Sequence, residues 1–278
     1  MPKIIVPVPR RIDLSMAPSF NATTSEIGFG LAPSQDLIAQ TALVYVYAVG
    51  SGEGGVASVF QKSGSGSDAP RQSVNIVHNA GSAQVGFAFS CSVPNGQPYL
   101  YAPAGDFTYN AHQHFAGTWD GGLLASGIHV YLGTNGAPLT ERTGGVSADG
   151  TGAVTFPTAG SFHIGNRSGG AYTFNGTIYY VARWNRVLSI DALRQAQMFG
   201  PLSVPDGLVL CWANNQDYSP TRLRYTSQTA VVMTGTGPQN TLLQWDWRRP
   251  AAWPLINIAD GATSVKDLIM MGIIPFAR

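Results

Sequence analysis

The segment from His112 to Ser189 decides the fold. It reads HQHFAGTWDGG at 112–122, GIHVYLGTNG at 127–136 and FHIGNRSGGAYTFNGTIYYVARWNRVLS at 162–189. Apolar residues that alternate between glycine turns predict three strands. Ser189 stands where a helix N-cap is expected, and Gly200-Pro201 stops the helix that follows. The segment therefore predicts three strands and then one short helix over 189–199.

Short strands with turn-rich separators extend outward from this segment. LVYVYAV at 43–49 is apolar on both alternating faces, which predicts a strand covered on both sides. Further short strands follow at close intervals, with almost no helical periodicity apart from a second short helix expected at 264–271. This spacing is typical of an all-β sandwich or jelly roll.

Composition narrows the class of protein. Charged residues make up 11% of the 278 residues, against a usual share of about 25%, so we expect a surface that packs against copies of the chain or other proteins. The net charge of +1 gives no electrostatic reason to expect nucleic acid as a partner. The longest apolar run, LIMMGIIPF at 268–276, is too short for membrane insertion. The proline-broken N-terminus lacks the apolar core of a secretory signal, so we expect the protein to be made and kept in the cytoplasm, or to leave it by a route other than general secretion.

The segment from His112 to Ser189 resembles the laminin G-like jelly-roll domains of the concanavalin A-like lectin/glucanase superfamily. His114–Gly121 matches the "TWDG" strand of that family, Ile128–Leu132 its "VY" strand, and Phe162–Gly165 its "IG" strand. Phe174–Ile178 with Trp184–Ser189 matches its closing "FxGxI…WNRALS" element. The resemblance covers about 40–235 and implies a two-sheet antiparallel jelly roll, of the kind found in phage and bacterial surface proteins.

The resemblance and the flanking sequences together predict the domain organisation. We expect an extended N-terminal arm at 1–39, the jelly-roll domain at 40–240, and a C-terminal arm with a short helix at 241–278. Both arms contain prolines, which favour extended chain at edges rather than central strands.

Two positions depart from the family pattern. Tyr179-Tyr180 stand where the family often has two acidic residues, and Arg183 stands where an apolar residue is usual. Calcium-binding members need carboxylate oxygens on the rim loops, and no such set is visible here. We therefore expect no metal and no cofactor.

Motifs for catalysis are absent from the sequence. Glycosidases of this superfamily carry Glu-x-Asp-x-Glu on one strand, because alternation directs those carboxylates into one cleft. This chain has only Glu26, Glu53 and Glu141 as glutamates, and its two closest acidic residues are seven apart. We therefore expect that the protein is not an enzyme. The alternative that two carboxylates from different strands converge to form a catalytic pair stays open.

Histidines and cysteines offer little chemistry of their own. His112-x-His114 places two imidazoles on one strand face, which is half of a zinc site, but no further ligand motif accompanies it. Cys91 and Cys211 do not form a disulfide framework. Cys91 is interpreted as a buried thiol, and whether the two pair stays open.

Four residues are candidates for contacting a glycan or another surface: Tyr172, Asn175, Tyr180 and Trp184. Tyr172 and Asn175 flank a glycine-rich loop at a strand end, where jelly rolls often bind ligands. Tyr180 and Trp184 alternate along one strand, and the alternative interpretation of both is that they pack inside the sandwich. Candidate subunit contacts lie in the two arms: Ile5, Val8, Trp245, Trp247, Trp253 and Phe276.

These observations leave three functional hypotheses. The first is a non-enzymatic structural or decoration protein of a virus particle, in the first place a phage, whose partners are copies of itself and other virion proteins. The second is an adhesin or tail-tip module that binds cell-surface glycans. The third is a glycoside hydrolase with a non-standard site.

Overall fold

The computed structural model describes residues 17–63, 71–79, 82–88, 98–154, 160–167, 172–213, 216–217, 227–229 and 232–234. Its strands are β1 (Ala17–Asn21), β2 (Glu26–Leu31), β3 (Gln40–Ala48), β4 (Val56–Ser63), β5 (Arg71–Asn79), β6 (Ser82–Ala88), β7 (Tyr99–Tyr101), β8 (His112–Trp119), β9 (Ile128–Thr134), β10 (Thr140–Arg142), β11 (Ser147–Ala148), β12 (Ser161–Ile164), β13 (Asn175–Trp184), β14 (Leu208–Ala213), β15 (Gln216–Asp217), β16 (Ser227–Thr229) and β17 (Val232–Thr234). The α-helix is α1 (Ile190–Phe199), and single 3₁₀ turns lie at Pro33–Gln35, Glu53–Gly55, Ala125–Gly127 and Pro201–Ser203.

The described strands form two antiparallel sheets. The first sheet has the order β10-β9-β8-β3-β13-β1-β17, with β14 also paired to β13 and β15 to β14. The second sheet has the order β11-β7-β6-β5-β4-β12-β2-β16. About half of the described strand pairs join strands that are not consecutive in the chain, such as β3 with β13 and β4 with β12, and such crossovers between hairpins are typical of a jelly roll. The expectation of a two-sheet antiparallel jelly roll is confirmed.

A hydrophobic core lies between the two sheets. Phe60 and Phe162 of the second sheet pack there with Trp119 and Trp212 of the first sheet. Each of these four residues is buried, as the inward half of an alternating strand should be. Arg183 also points into this core, with its guanidinium carbon 5.1 Å from the ring centroid of Phe60.

Hydrogen bonds compensate the charge of Arg183. Its guanidinium donates to the backbone oxygen of Gln35 at 3.2 Å, to Gln35 Oε1 at 3.0 Å and to Gln40 Oε1 at 2.5 Å. Burial nevertheless lowers the pKa of Arg183 to about 9. The arginine that stands where the family usually has an apolar residue therefore forms a buried hydrogen-bond network with Gln35 and Gln40.

A second buried cluster covers the outer face of the first sheet. Leu193 and Ala196 of α1 pack there against Trp184 and Leu43. Because β3 has this cluster on one side and the inter-sheet core on the other, the prediction of a strand covered on both sides is confirmed. The helix begins after Ser189, whose Oγ accepts a hydrogen bond from Ala192 N at 3.3 Å. The predicted capped helix at 189–199 is also confirmed.

A β-bulge in β13 changes which side chains face outward. Ile178 lies opposite Val46 and Tyr180 opposite Tyr45, so Tyr179 is the extra residue. Ile178 points into the inter-sheet core, whereas Tyr179 and Tyr180 both join the outer cluster. The two tyrosines that replace acidic family residues therefore share one face.

The boundary predicted for the N-terminal arm is wrong in part. β1 and β2 lie within the predicted arm 1–39, yet β1 pairs with β13, and β2 pairs with β12. Phe20, Ile27 and Phe29 are buried in the inter-sheet core. Pro18 is tolerated because it pairs only with Met233 of β17, and the pairing of β1 with β13 begins at Ser19.

Several predictions fall outside the described residues. These are the candidate subunit contacts Ile5, Val8, Trp245, Trp247, Trp253 and Phe276, the helix at 264–271, and Cys91. Cys211 is buried, and its pairing with Cys91 stays open. In the part of the chain that the structure describes, no helix is long and apolar enough to cross a membrane.

Candidate functional site

Tyr172 and Asn175 lie at one end of the sandwich, in and just after the loop that leads into β13. The backbone of Tyr172 has φ +70°, a left-handed conformation that is strained for a bulky residue. The backbone carbonyl oxygen of Tyr172 accepts a hydrogen bond from Ser58 N at 2.8 Å, which holds this conformation in place. The guanidinium of Arg167 lies 3.9 Å from the centre of the Tyr172 ring, close enough for a cation–π contact.

A polar network supports this rim. Glu53 Oε2 accepts hydrogen bonds from Thr173 N at 3.3 Å and from Thr173 Oγ1 at 3.1 Å. Asn166 Nδ2 donates to the same Thr173 Oγ1 at 2.9 Å. These contacts join the β3–β4 loop to the β12–β13 loop. We call Tyr172, Asn175 and their supports Glu53, Asn166 and Thr173 the rim site.

The side chain of Asn175 lies close to the backbone of Gly50, in space that a larger residue at position 50 would fill. Its backbone oxygen accepts from Val49 N at 2.9 Å. Its side-chain Nδ2 lies 2.9 Å from the place where a Cβ on Gly50 would stand. Asn175 and Tyr172 are both partly exposed. The structure therefore places two of the four predicted contact residues at one accessible edge, each fixed by backbone hydrogen bonds.

The other two predicted contact residues do not belong to this site. Trp184 is fully buried, and its indole Nε1 donates to Val204 O at 2.7 Å. Tyr180 is 3% exposed and packs beside Tyr45 on the outer face of the first sheet. Both point away from the inter-sheet core, as their alternation implied, but α1 and its neighbours cover that face. Their prediction as ligand contacts is corrected, because neither side chain presents a surface.

His112 and His114 point to the same outer face and join an aromatic cluster. The His114 ring stacks on Tyr45, with centroids 4.0 Å apart and planes 8° apart. Both of its ring nitrogens, His112 Nδ1 and the Tyr180 hydroxyl are buried, and none of them has a hydrogen-bond partner among the described residues. Burial, with His112 close by, lowers the pKa of His114 to about 3. The His114 ring is therefore neutral across the physiological pH range and contributes to the fold by packing against Tyr45.

No metal centre is assembled around this histidine pair. Among the described residues, no group of three or more His, Cys, Asp or Glu side chains is placed to hold a metal ion. That the protein binds no metal stays a prediction for measurement.

A second polar group lies on the outer face of the second sheet. Ser161 Oγ lies 2.6 Å from His163 Nε2, and His163 Nδ1 lies 3.6 Å from Glu26 Oε2. Gln61 is directly opposite His163 in the pairing of β4 with β12. Both of its amide atoms are buried, with no hydrogen-bond partner in the part of the chain that the structure describes. We call these four residues the outer polar cluster.

Sequence reasoning overlooked this cluster. His163 entered only as part of the strand motif Phe162–Gly165. The available signal was alternation, since Phe162 and Ile164 face the core and their neighbours must face outward. The contact with Glu26 brings together residues more than 130 positions apart, which no local pattern can show.

The fold and the rim define a two-sheet, lectin-like jelly roll. A family model described as the concanavalin A-like lectin/glucanases superfamily matches residues 31–193, which is more than half of the 278 residues. The chain belongs to this superfamily, and the resemblance seen in the sequence is confirmed. No curated protein matches the sequence significantly.

Solved structures of similar fold come from several sources. A putative carbohydrate-binding protein from Bacteroides ovatus is 14% identical with a TM-score of 0.50, over 82% of this chain and 60% of that one. This chain thus spans less than two thirds of that protein, and the likeness shows the fold alone. The CBM40 of a Ruminococcus gnavus IT-sialidase is 17% identical with a TM-score of 0.45, over 66% of this chain and 99% of that one. Tailspike protein 2 of an Escherichia coli bacteriophage is 13% identical with a TM-score of 0.47, over 75% of this chain and 30% of that one.

Proposed function

We propose that the protein is a carbohydrate-binding protein that holds glycans at the rim site and does not cleave glycosidic bonds. The observation that carries this proposal is the rim itself. A partly exposed tyrosine held in a strained backbone conformation lies near a partly exposed asparagine, within a domain of lectin-like fold. An aromatic ring packs against the apolar face of a pyranose, and an amide bonds its hydroxyl groups. Ligand sites combine these two elements, apolar surface and a few fixed polar groups.

Four of the described carboxylates are engaged in structural contacts, which supports binding rather than glycosidic cleavage. Asp36 forms an ion pair with Lys62 at 2.5 Å. Asp120 and Asp149 each accept a hydrogen bond from a loop backbone N–H at 2.7 Å, and Glu53 is engaged by Thr173. These groups hold turns and loops, whereas glycosidic cleavage needs an acid and a second carboxylate that flank one bond.

A glycan array with the full-length chain tests the proposal. We expect the substitutions Tyr172→Ala and Asn175→Ala each to weaken binding to the best glycan by about tenfold, which is about 1.4 kcal/mol. Leu124→Ala is the matched control, because Leu124 is 61% exposed and lies in the β8–β9 loop rather than at the rim. Binding that is absent from the array, or that is equal in all three variants, would contradict the proposal.

A structural role in a virus particle is the second candidate, and the low share of charged residues favours it. Only 11% of the residues are charged, which suits a surface packed against copies of the chain and other virion proteins. The two roles are compatible, since a decoration protein on a phage can also adhere to glycans. Deleting 248–278 tests this candidate: we expect the domain to stay folded and self-association in sedimentation to weaken. Unchanged assembly and particle attachment would contradict it.

A further inference from the structure

The outer polar cluster has the connectivity of a nucleophile relay. Ser161 and His163 are two residues apart on β12, so their side chains share one face of the sheet. The 2.6 Å separation of Ser161 Oγ and His163 Nε2 lies within hydrogen-bond reach of a nucleophile and its general base. On the far side of the ring, His163 Nδ1 lies 3.6 Å from Glu26 Oε2, which is beyond hydrogen-bond distance, and this nitrogen has no hydrogen-bond partner among the described residues. Catalytic hydrogen bonds are often this long before substrate binds and shorten in the complex.

The protonation state of the ring suits this arrangement. Burial lowers the pKa of His163, so the imidazole is neutral at neutral pH and its contact with Glu26 is not an ion pair. With the ring proton on Nδ1, directed at Glu26, the free lone pair of Nε2 accepts from the Ser161 hydroxyl. Burial also raises the pKa of Glu26 above its usual range.

The surroundings leave access on one side and offer a donor on the other. Ser161 is partly exposed, so its hydroxyl is within reach of a ligand. On the β2 side, the residue opposite His163 is Gly28, which carries no side chain. On the β4 side, the residue opposite is Gln61, whose amide is buried and has no partner among the residues that the structure describes. An unpaired buried amide is costly, and it is suited to stabilise a developing oxyanion.

We infer that Ser161, His163 and Glu26 form a relay for hydrolysis of carboxylic esters, in which Ser161 is the nucleophile, His163 the general base, Glu26 a positioning residue and Gln61 the oxyanion donor. This inference goes beyond the proposed function and does not depend on it. Ester hydrolysis needs no carboxylate pair, and the lack of such a pair was the reason for expecting no catalysis. A relay assembled from separate strands also has no linear motif.

The reaction balances with water as the only co-substrate. Ser161 Oγ forms a bond to the acyl carbon while its proton passes to His163 Nε2, and the carbonyl electrons move to the oxygen. Collapse breaks the bond to the alcohol, which leaves with the proton from His163. Water then attacks the acyl-serine and gives a proton to His163. Release of the carboxylic acid returns that proton to Ser161 Oγ.

Covalent labelling of the full-length chain with a fluorophosphonate probe tests the nucleophile directly. We expect about one label per chain at Ser161 by peptide mapping, and none in Ser161→Ala. Ser147→Ala is the matched control, because Ser147 is an exposed strand serine of the same sheet, and it should label as the parent does. A chain that takes no label at Ser161 would overturn the inference.

Hydrolysis of p-nitrophenyl acetate tests the relay. We expect Ser161→Ala and His163→Gln to lower kcat/KM at least 100-fold, in the range that base catalysis supplies. For Glu26→Gln we expect at least a tenfold loss and a pH–rate inflection shifted to lower pH, since removing the anion disfavours the protonated ring. Thermal unfolding establishes that each variant is folded. Equal rates in the parent and Ser161→Ala, or an inflection that Glu26→Gln leaves in place, would refute the relay.

Discussion

Acidification should unfold this protein through His114. The ring is buried, neither of its nitrogens has a partner within the described part of the chain, and burial holds its pKa at about 3, compared with 6.5 in an unfolded chain. The unfolded state therefore binds one more proton than the folded state between these two pKa values. The stabilisation is complete above pH 6.5 and is lost as the pH falls toward 3. At pH 4.5 this single group costs about 3 kcal/mol relative to pH 7.

The substitution His114→Phe isolates this contribution. Phenylalanine keeps the stacking on Tyr45 and removes both the titrating group and its unpaired nitrogens. We expect the variant to be at least as stable as the parent at pH 7, because an unpaired buried polar group costs about 1–3 kcal/mol. Between pH 7 and 4.5 it should lose about 3 kcal/mol less than the parent does.

Urea unfolding at both pH values measures this double difference. Carboxylates and other histidines also titrate in this range. Those that lie away from His114 contribute equally to the parent and the variant, whereas the coupling between His112 and His114 is removed together with the ring. Leu124→Ala is the control, since Leu124 is 61% exposed and carries no titrating group; it should keep the acid sensitivity of the parent. The reasoning is refuted if His114→Phe and the parent lose the same free energy of unfolding to within about 0.5 kcal/mol.

Three further predictions concern the buried Trp184, the hydrogen bonds of Asn21, and metal binding by the histidine pair. Trp184→Ala should lower the free energy of unfolding by about 3–5 kcal/mol in urea titration, because it empties a fully buried site, whereas Tyr172→Ala should cost about 1 kcal/mol or less. Asn21→Ala should cost about 1–3 kcal/mol, since Asn21 Oδ1 accepts from the backbone N–H groups of Thr23, Thr24 and Ser25 at 2.9–3.0 Å; Asn21→Asp keeps the acceptor and should retain most of that stability. Metal analysis should find no stoichiometric ion bound through His112 and His114, and loss of an ion on His112→Ala would contradict this expectation.

The sequence was sufficient for the architecture because alternation and turn chemistry are local. The capped helix after Ser189 and the doubly covered strand around Val44 could both be read from neighbouring residues. β1 was missed because Pro18 argues against a strand unless it is known that the strand has a partner on only one side at that point. Strand pairing of that kind is a long-range fact, and no residue near Pro18 reports it.

The candidate site was predicted only in part for a related reason. Tyr172 and Trp184 are both aromatic residues in or near β13, and nothing in their immediate sequence says which one is covered. The helix α1 decides, since it packs over Trp184, whereas Tyr172 lies outside this cluster and is partly exposed. The contact between Glu26 and His163 likewise depends on β2 pairing with β12, which the expectation of an N-terminal arm had ruled out.

The bulge at Tyr179 leads to a last prediction, about register. Ile178 and Val181 both face the inter-sheet core, although two residues separate them, because Tyr179 is the extra residue. Deleting Tyr179 alone would leave core, outer, core at Ile178, Tyr180 and Val181, which is regular alternation. The deletion should therefore preserve the fold and cost about 3–5 kcal/mol for the buried ring that is lost.

Deleting Ala182 is the matched test, since it removes a smaller residue from the same strand. Val181 and Arg183 would then be adjacent in sequence, and one of them would have to leave the inter-sheet core for the outer face. The residues on one side of the deletion would therefore lose their register with the neighbouring strands β3 and β14. We expect this chain not to fold, as judged by the near-ultraviolet circular dichroism of its buried tryptophans, whereas the Tyr179 deletion keeps that signal. If the two deletions behave alike, Tyr179 does not set the register, and the outward pair Tyr179-Tyr180 needs another explanation.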